Sequence, residues 1–161
     1  NLNSNAYEKL IYRFHHEMGF NEKEIIKNRF PDLKISSRDE TTYFYDLVFN
    51  SKLIVISTDY TTNKQCFLLN HPTILLWDNE YFKIRSEAKK YYDQLFDVGI
   101  LYFSPELCAK KINEIEKDPL KWWNSEKIQQ AKNEYCNYIC RDNKNLSVEL
   151  SKLIQELSIS S

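Results

Sequence analysis

Three polar clusters in this 161-residue chain hold side chains able to grip an anion or move a proton. They are Arg13 to Glu17, with His15 and His16 inside it, Thr58 to Asn63, and Trp77 to Arg85. The second is the most informative. Hydroxyls and backbone N–H groups at the start of a helix meet a positive macrodipole, a combination that holds phosphate or another anion. Thr58, Thr61 and Thr62 supply both kinds of donor, although Thr and Asp also cap helices that bind nothing, and that reading stays open. If a helix starts near Glu80, Arg85 lies just inside it and can reach over the strand ends to a diphosphate. The alternative is a solvated arginine. His15 can bond a sugar or phosphate oxygen from its loop, or serve only the surface. His71, beside Pro72, reads as a turn residue at the opposite edge. Trp122-Trp123 could stack a sugar, but tryptophans at a helix junction read first as packing.

Other chemistries are excluded by what is missing. Gly19 and Gly99 are the only glycines, so no phosphate-binding glycine loop or dinucleotide fingerprint exists. Neither a Gly-x-Ser-x-Gly elbow nor a metalloprotease motif occurs. Of Cys66, Cys108, Cys136 and Cys140, only the last two are close, one helical turn apart. Zinc sites want Cys-x2-Cys spacing with further ligands, so these read as reduced, packed cysteines of a cytoplasmic protein. Net charge is −1, which offers no field for nucleic acid, so any bound anion needs a local site. No apolar run approaches the roughly 18 to 20 residues that span a bilayer. The opening Asn1-Leu2-Asn3-Ser4-Asn5 lacks the pattern of a signal peptide, and the missing Met fits an excised fragment or, equally, processing on expression.

The polar clusters depend on the elements around them. Leu10 to Phe14 reads as a strand, and Asn21 can cap a helix over Glu22 to Arg29, closed by Pro31. Leu33 to Ser36 is a short strand, and a helix over Thr41 to Asn50 should bury Tyr45, Leu47, Val48 and Phe49. Leu53 to Ser57 is apolar on consecutive residues and β-branched, as in a parallel strand covered on both faces. A helix to about Leu69 is broken by Asn70-His71-Pro72, and Thr73 to Trp77 is a second buried strand. The next helix is expected over Tyr81 to Phe96, stopped before Gly99. Ile100 to Phe103 is the last strand. Ser104-Pro105-Glu106 then starts a helix with Leu107, Ala109, Ile112 and Ile115 as its apolar stripe. Asp118-Pro119 ends it, and helices follow over Ser125 to Cys140 and Leu146 to Leu157.

Alternating β and α units predict one α/β domain, three-layered and Rossmann-like, with about five mostly parallel strands in one sheet. Leu53 to Ser57 and Thr73 to Trp77 should be adjacent or central in it. Ligands of such sheets bind at the carboxyl ends of the strands, where all three polar clusters fall.

The run Leu53 to Thr62, the turn Asn70-His71-Pro72-Thr73, the strand to Trp77 and then Arg85 together carry a resemblance. They are similar to the C-terminal part of a family of surface-carbohydrate transferases first named from spirochaete genomes. The similarity extends through Ala88 to Asp93, Val98-Gly99-Ile100, Ser104-Pro105-Glu106 and Trp122 to Ser125. At the front it includes Tyr12 to His15, Gly19-Phe20 and Arg29 to Pro31, so it covers most of the chain. More broadly, the plan resembles the donor half of GT-B glycosyltransferases and of glycerophosphate polymerases.

That resemblance implies a half-enzyme in surface polysaccharide or lipopolysaccharide synthesis. A nucleotide-activated sugar would lie across the strand ends, held by Arg13, His15, Thr58, Thr61, Thr62, Gln65 and Arg85. Acceptor and base would sit on a missing N-terminal domain, and the full-length protein could associate peripherally with a membrane. Such enzymes usually need no metal or other cofactor, because helix dipoles and basic side chains neutralise the leaving group. Gln65 departs from the pattern: the equivalent residue is commonly a ribose-binding Glu, and an amide bonds a hydroxyl less strongly. A competing expectation is a non-catalytic interaction module of the same fold.

Overall fold

The computed structural model describes residues 1–14, 21–36, 44–58, 60–78 and 80–140. The loop with His15, His16 and Gly19, the first residues of the helix expected from Thr41, and the helix expected over Leu146 to Leu157 lie outside them. The front of the chain holds α1 (Ser4–Lys9), β1 (Ile11–Arg13), α2 (Glu22–Arg29), β2 (Lys34–Ser36) and α3 (Phe44–Asn50). Behind it come β3 (Ile54–Ile56), α4 (Thr61–Leu68), β4 (Thr73–Leu76), α5 (Ser86–Asp97) and β5 (Leu101–Tyr102). Three helices follow, α6 (Pro105–Ile115), α7 (Pro119–Trp123) and α8 (Glu126–Ile139).

The fold is α/β and all the described strand pairings are parallel, but they form two small sheets rather than one sheet of five strands. β1 pairs with β2, and β3, β4 and β5 pair in that order. Ile11 and Tyr12 are largely exposed, which fits a short ribbon beside the core better than an inner strand. β4 is the central strand as expected, buried through Thr73, Ile74 and Leu75. β3 is adjacent to it, yet stands at the edge of its sheet with Val55 40% exposed. An apolar β-branched run therefore does not report burial on both faces here, because it suits an edge strand equally well.

Around the three-stranded sheet the layering is helix, sheet, helix. Leu75, Trp77 and Leu101 join Phe67 of α4, Tyr92 and Leu95 of α5, and Tyr135 of α8 in one core. Ile74, Leu76 and Tyr102 point the other way, onto Cys108, Ile112 and Ile115 of α6. The alternation along β4 is the period of two that a strand imposes. Each fully buried aliphatic side chain contributes about 1.5–3 kcal/mol, so β4 is the main anchor of the sheet. A buried polar chain crosses the larger core: Asn63 Nδ2 donates to Tyr135 Oη at 3.3 Å, which lies 3.3 Å from Tyr92 Oη. It ties α4, α8 and α5 together. Trp123 is fully buried, and the tryptophan pair packs as expected.

Two helices end in the same device. At the end of α4, Asn70 takes φ 52° while its N–H bonds Phe67 O and the His71 N–H bonds Cys66 O. At the end of α5, Gly99 takes φ 79° while its N–H bonds Phe96 O and the Ile100 N–H bonds Leu95 O. This pair of bonds closes the last carbonyls of each helix and reverses the chain into the next strand.

Several boundaries differ from the sequence expectation for local reasons. Asn21 begins α2, but in a left-handed conformation with no side-chain cap. α3 buries Val48 only; Tyr45 and Phe49 are exposed, 48% and 68%. α6 buries Cys108 and Ile115 and leaves Leu107 56% exposed, so Cys108 replaces Leu107 at the start of an inner stripe that Ile112 and Ile115 continue as expected. Asp118 accepts from Lys121 N and so starts α7 rather than merely ending α6. α1 was not foreseen. Asn3 caps it by accepting from Ala6 N, and Asn3 N and Asn5 Nδ2 donate to Asn113 of α6 and to Glu116 just after it.

Candidate functional site at the carboxyl edge of the sheet

β3 and β4 are parallel neighbours, so the helices after them, α4 and α5, both begin at the carboxyl edge. In α4 the residue flanking the helix is Tyr60, and no side chain caps it there. Thr61 and Thr62 are the first two helical residues and not caps. Thr61 is exposed, and Thr58, Thr62 and Gln65 are half-buried. Their side chains make no hydrogen bond among the described residues, which leaves three hydroxyls and one amide for another partner.

Arg85 is not inside a helix as expected. It is the residue flanking α5, with extended backbone, exposed and without a side-chain cap. The reason lies in the loop before it. Asp78 Oδ1 accepts from Glu80 N at 2.8 Å, and Asp78 O accepts from Tyr81 N and Phe82 N. That turn, with Phe82 packed on Trp77 at 5.5 Å between centroids, takes up residues that periodicity assigned to the helix. Arg85 consequently stands at the mouth of α5, where its charge adds to the positive end of the helix dipole.

The other candidates separate. Arg13 ends β1, opposite Ser36 of β2, and no strand pairing joins that sheet to β3. His15 lies outside the described residues. Thr58, Thr61, Thr62, Gln65 and Arg85 thus belong to the three-stranded sheet, and Arg13 to the other one. Sequence reasoning missed a further donor at this edge. Trp77, at the carboxyl end of β4, is 2% exposed, and its Nε1 has no acceptor among the described residues. A buried indole N–H left without an acceptor is uncommon and costly. Its only signal in the sequence was a Trp placed where the strand ends.

The cysteines are the remaining reactive side chains. All four cysteines are free, and burial pushes the thiols of Cys66 and Cys108 up to about 11. The Cys136 thiol is also raised, by its hydrogen bond with Cys140 and then by burial. Among the described residues no three His, Cys, Asp or Glu side chains cluster to hold a metal. No described helix is long and apolar enough to cross a membrane.

Compared with known families, residues 1–154 match the model of the LIC12162 family transferases. The chain belongs to that family. No curated protein and no solved structure matches it. For this LIC12162-family chain, membership supports a transferase-like function.

Proposed function

We propose that this chain is the donor-binding domain of a glycosyltransferase-like enzyme in bacterial surface polysaccharide or lipopolysaccharide synthesis. Its ligand is a nucleotide-activated sugar, and its fold is a GT-B donor half completed by another domain of the same protein. The observation that carries the reading is the pair of uncapped helix starts after β3 and β4, bearing Thr61, Thr62 and Arg85. Phosphate oxygens at these positions would receive first-turn N–H groups, Thr hydroxyls and the guanidinium together. Gln65, on the second turn of α4, is placed for the ribose. Thr58 and the Trp77 indole border the same edge. Arg13 and His15 complete the proposed set. The chemistry of transfer would then rest on electrostatic stabilisation of the leaving diphosphate, with the acceptor and base supplied by the completing domain.

A calorimetric and NMR titration of the chain with sugar conjugates of UDP, CDP, CMP, GDP and dTDP tests this. One nucleotide should bind weakly and shift the amides of Thr61, Thr62 and Ser86, while no sugar is transferred by the isolated chain. Absence of binding by all five would sink the donor-site reading.

A further inference from the structure

A separate recess opens at the amino edge of the three-stranded sheet, where residues 51–52 lead into β3, residues 70–72 lead into β4, and α6 gives way to α7. Its volume is about 380 Å³, within the range of small-molecule sites. Lys52, Asn70, His71, Lys117 and Asp118 line its wall with polar groups, and Leu120, 54% exposed, supplies apolar surface beside the buried Pro72 and Pro119.

Behind that wall lies a buried charge. Lys132 is 7% exposed, and the partner of its ammonium among the described residues is Asn70 Oδ1, at 2.9 Å. An ammonium has three donors, and one neutral acceptor leaves its charge uncompensated in a low-dielectric place. Asn70 Oδ1 also accepts from Trp123 Nε1 at 3.1 Å. The amide nitrogen is therefore what Asn70 has left for the recess, and the neighbouring charge polarises it as a donor. His71 Nε2 is shielded from solvent and has no hydrogen-bond partner among the described residues. Lys52 and Lys117 are exposed on the rim, and the rim carboxylate, Asp118, accepts from Lys121 N at 3.0 Å.

We propose that this recess binds a soluble phosphate monoester bearing an apolar or flat organic group. Donors arrive from three separate segments, at Lys52, at Asn70 and at Lys117. That spread suits the three peripheral oxygens of a phosphate better than the two of a carboxylate. Leu120 gives the organic group an exposed apolar surface to lie on. This site and the carboxyl edge sit at opposite ends of the same strands, so neither depends on the other.

Phenyl phosphate, titrated into the isotope-labelled chain, is expected to shift the amides of Lys52, Asn70, His71 and Lys117 and to bind more tightly than inorganic phosphate. The Lys52→Met/Lys117→Met variant changes exposed side chains only, should melt with the parent, and should bind phenyl phosphate roughly a hundredfold more weakly. Thr61→Val/Thr62→Val should bind it as the parent does. Unchanged affinity in the lysine variant, equal affinity for inorganic phosphate, or shifts confined to Thr58 to Gln65 would each overturn the proposal. So would sedimentation of the chain with phosphatidylcholine vesicles containing phosphatidic acid, if lost in the lysine variant, since the ligand would then be a lipid headgroup.

Discussion

Lys132 Nζ donates to Asn70 Oδ1 at 2.9 Å, joining the middle of α8 to the left-handed turn between α4 and β4. Trp123 Nε1 donates to the same residue, to its backbone O at 2.9 Å and to its Oδ1 at 3.1 Å. Asn70 therefore has two tasks, a backbone conformation and an acceptor. Asn70→Gly preserves the first and removes the second, and should cost roughly 1.5–3 kcal/mol for the lost bond to a charged group. Asn70→Ala should cost about 1 kcal/mol more, because Ala resists φ above zero. Urea unfolding of both variants checks this. Equal stability of Gly and Ala there would show that the turn is not left-handed.

Gly99 closes α5 at φ 79°, and a Cβ on it would lie 2.8 Å from Tyr102 Oη. Gly99→Ala should destabilise by roughly 1–2 kcal/mol from the backbone alone. Tyr102→Phe in that background should restore part of the loss, since it removes the oxygen the Cβ meets. A double-mutant cycle in urea reads the coupling. Strict additivity of the two changes would count against the contact.

Burial holds the His71 imidazole below its ordinary pKa of 6.5. The unfolded chain takes up that proton first as pH falls, so stability from this group is complete above pH 6.5 and declines below it. The carboxyls of Glu106 and Glu134 are held below 4.5 by hydrogen bonds, from Ser104 and from Gln130 and Gln94, and weaken the fold only at lower pH. The difference in melting temperature between parent and His71→Gln should therefore change between pH 7.5 and 5.5, with the parent losing more on acidification. A constant difference across that window would place the imidazole in solvent.

Thr61→Val/Thr62→Val removes both hydroxyls at nearly constant volume from a helix start they do not cap. Its folding should hold, while affinity for the responding nucleotide falls about ten- to a hundredfold per lost bond. Arg85→Ala should also weaken binding, more at low salt than at high, because the attraction of an exposed charge is screened. Calorimetry at two salt concentrations measures both. Intact affinity in the threonine variant would move the nucleotide off the start of α4.

Local chemistry alone was enough to read much of this protein. The helix stops at Asn70-His71-Pro72 and before Gly99, the Ser104-Pro105 helix start and the consecutive apolar residues of β4 are decided by neighbours in the chain. So were the elements after β3 and β4 that carry Thr61 and Arg85 to one edge, because a parallel βαβ unit admits little else. What required the tertiary structure were matters of who packs against whom. Val55 looks like a core residue in the sequence, yet it is exposed because β3 has a strand partner on one side and Val55 faces away from the core cluster. Arg85 slid from inside a helix to its mouth because Phe82 packs on Trp77 and holds the preceding turn open. Arg13 fell to a separate two-stranded sheet because strand pairing over long range is set by contacts that no local pattern encodes. Least legible of all was Lys132: on a helix that reads as amphipathic, only the turn of α4 folding across it makes its charge a buried one.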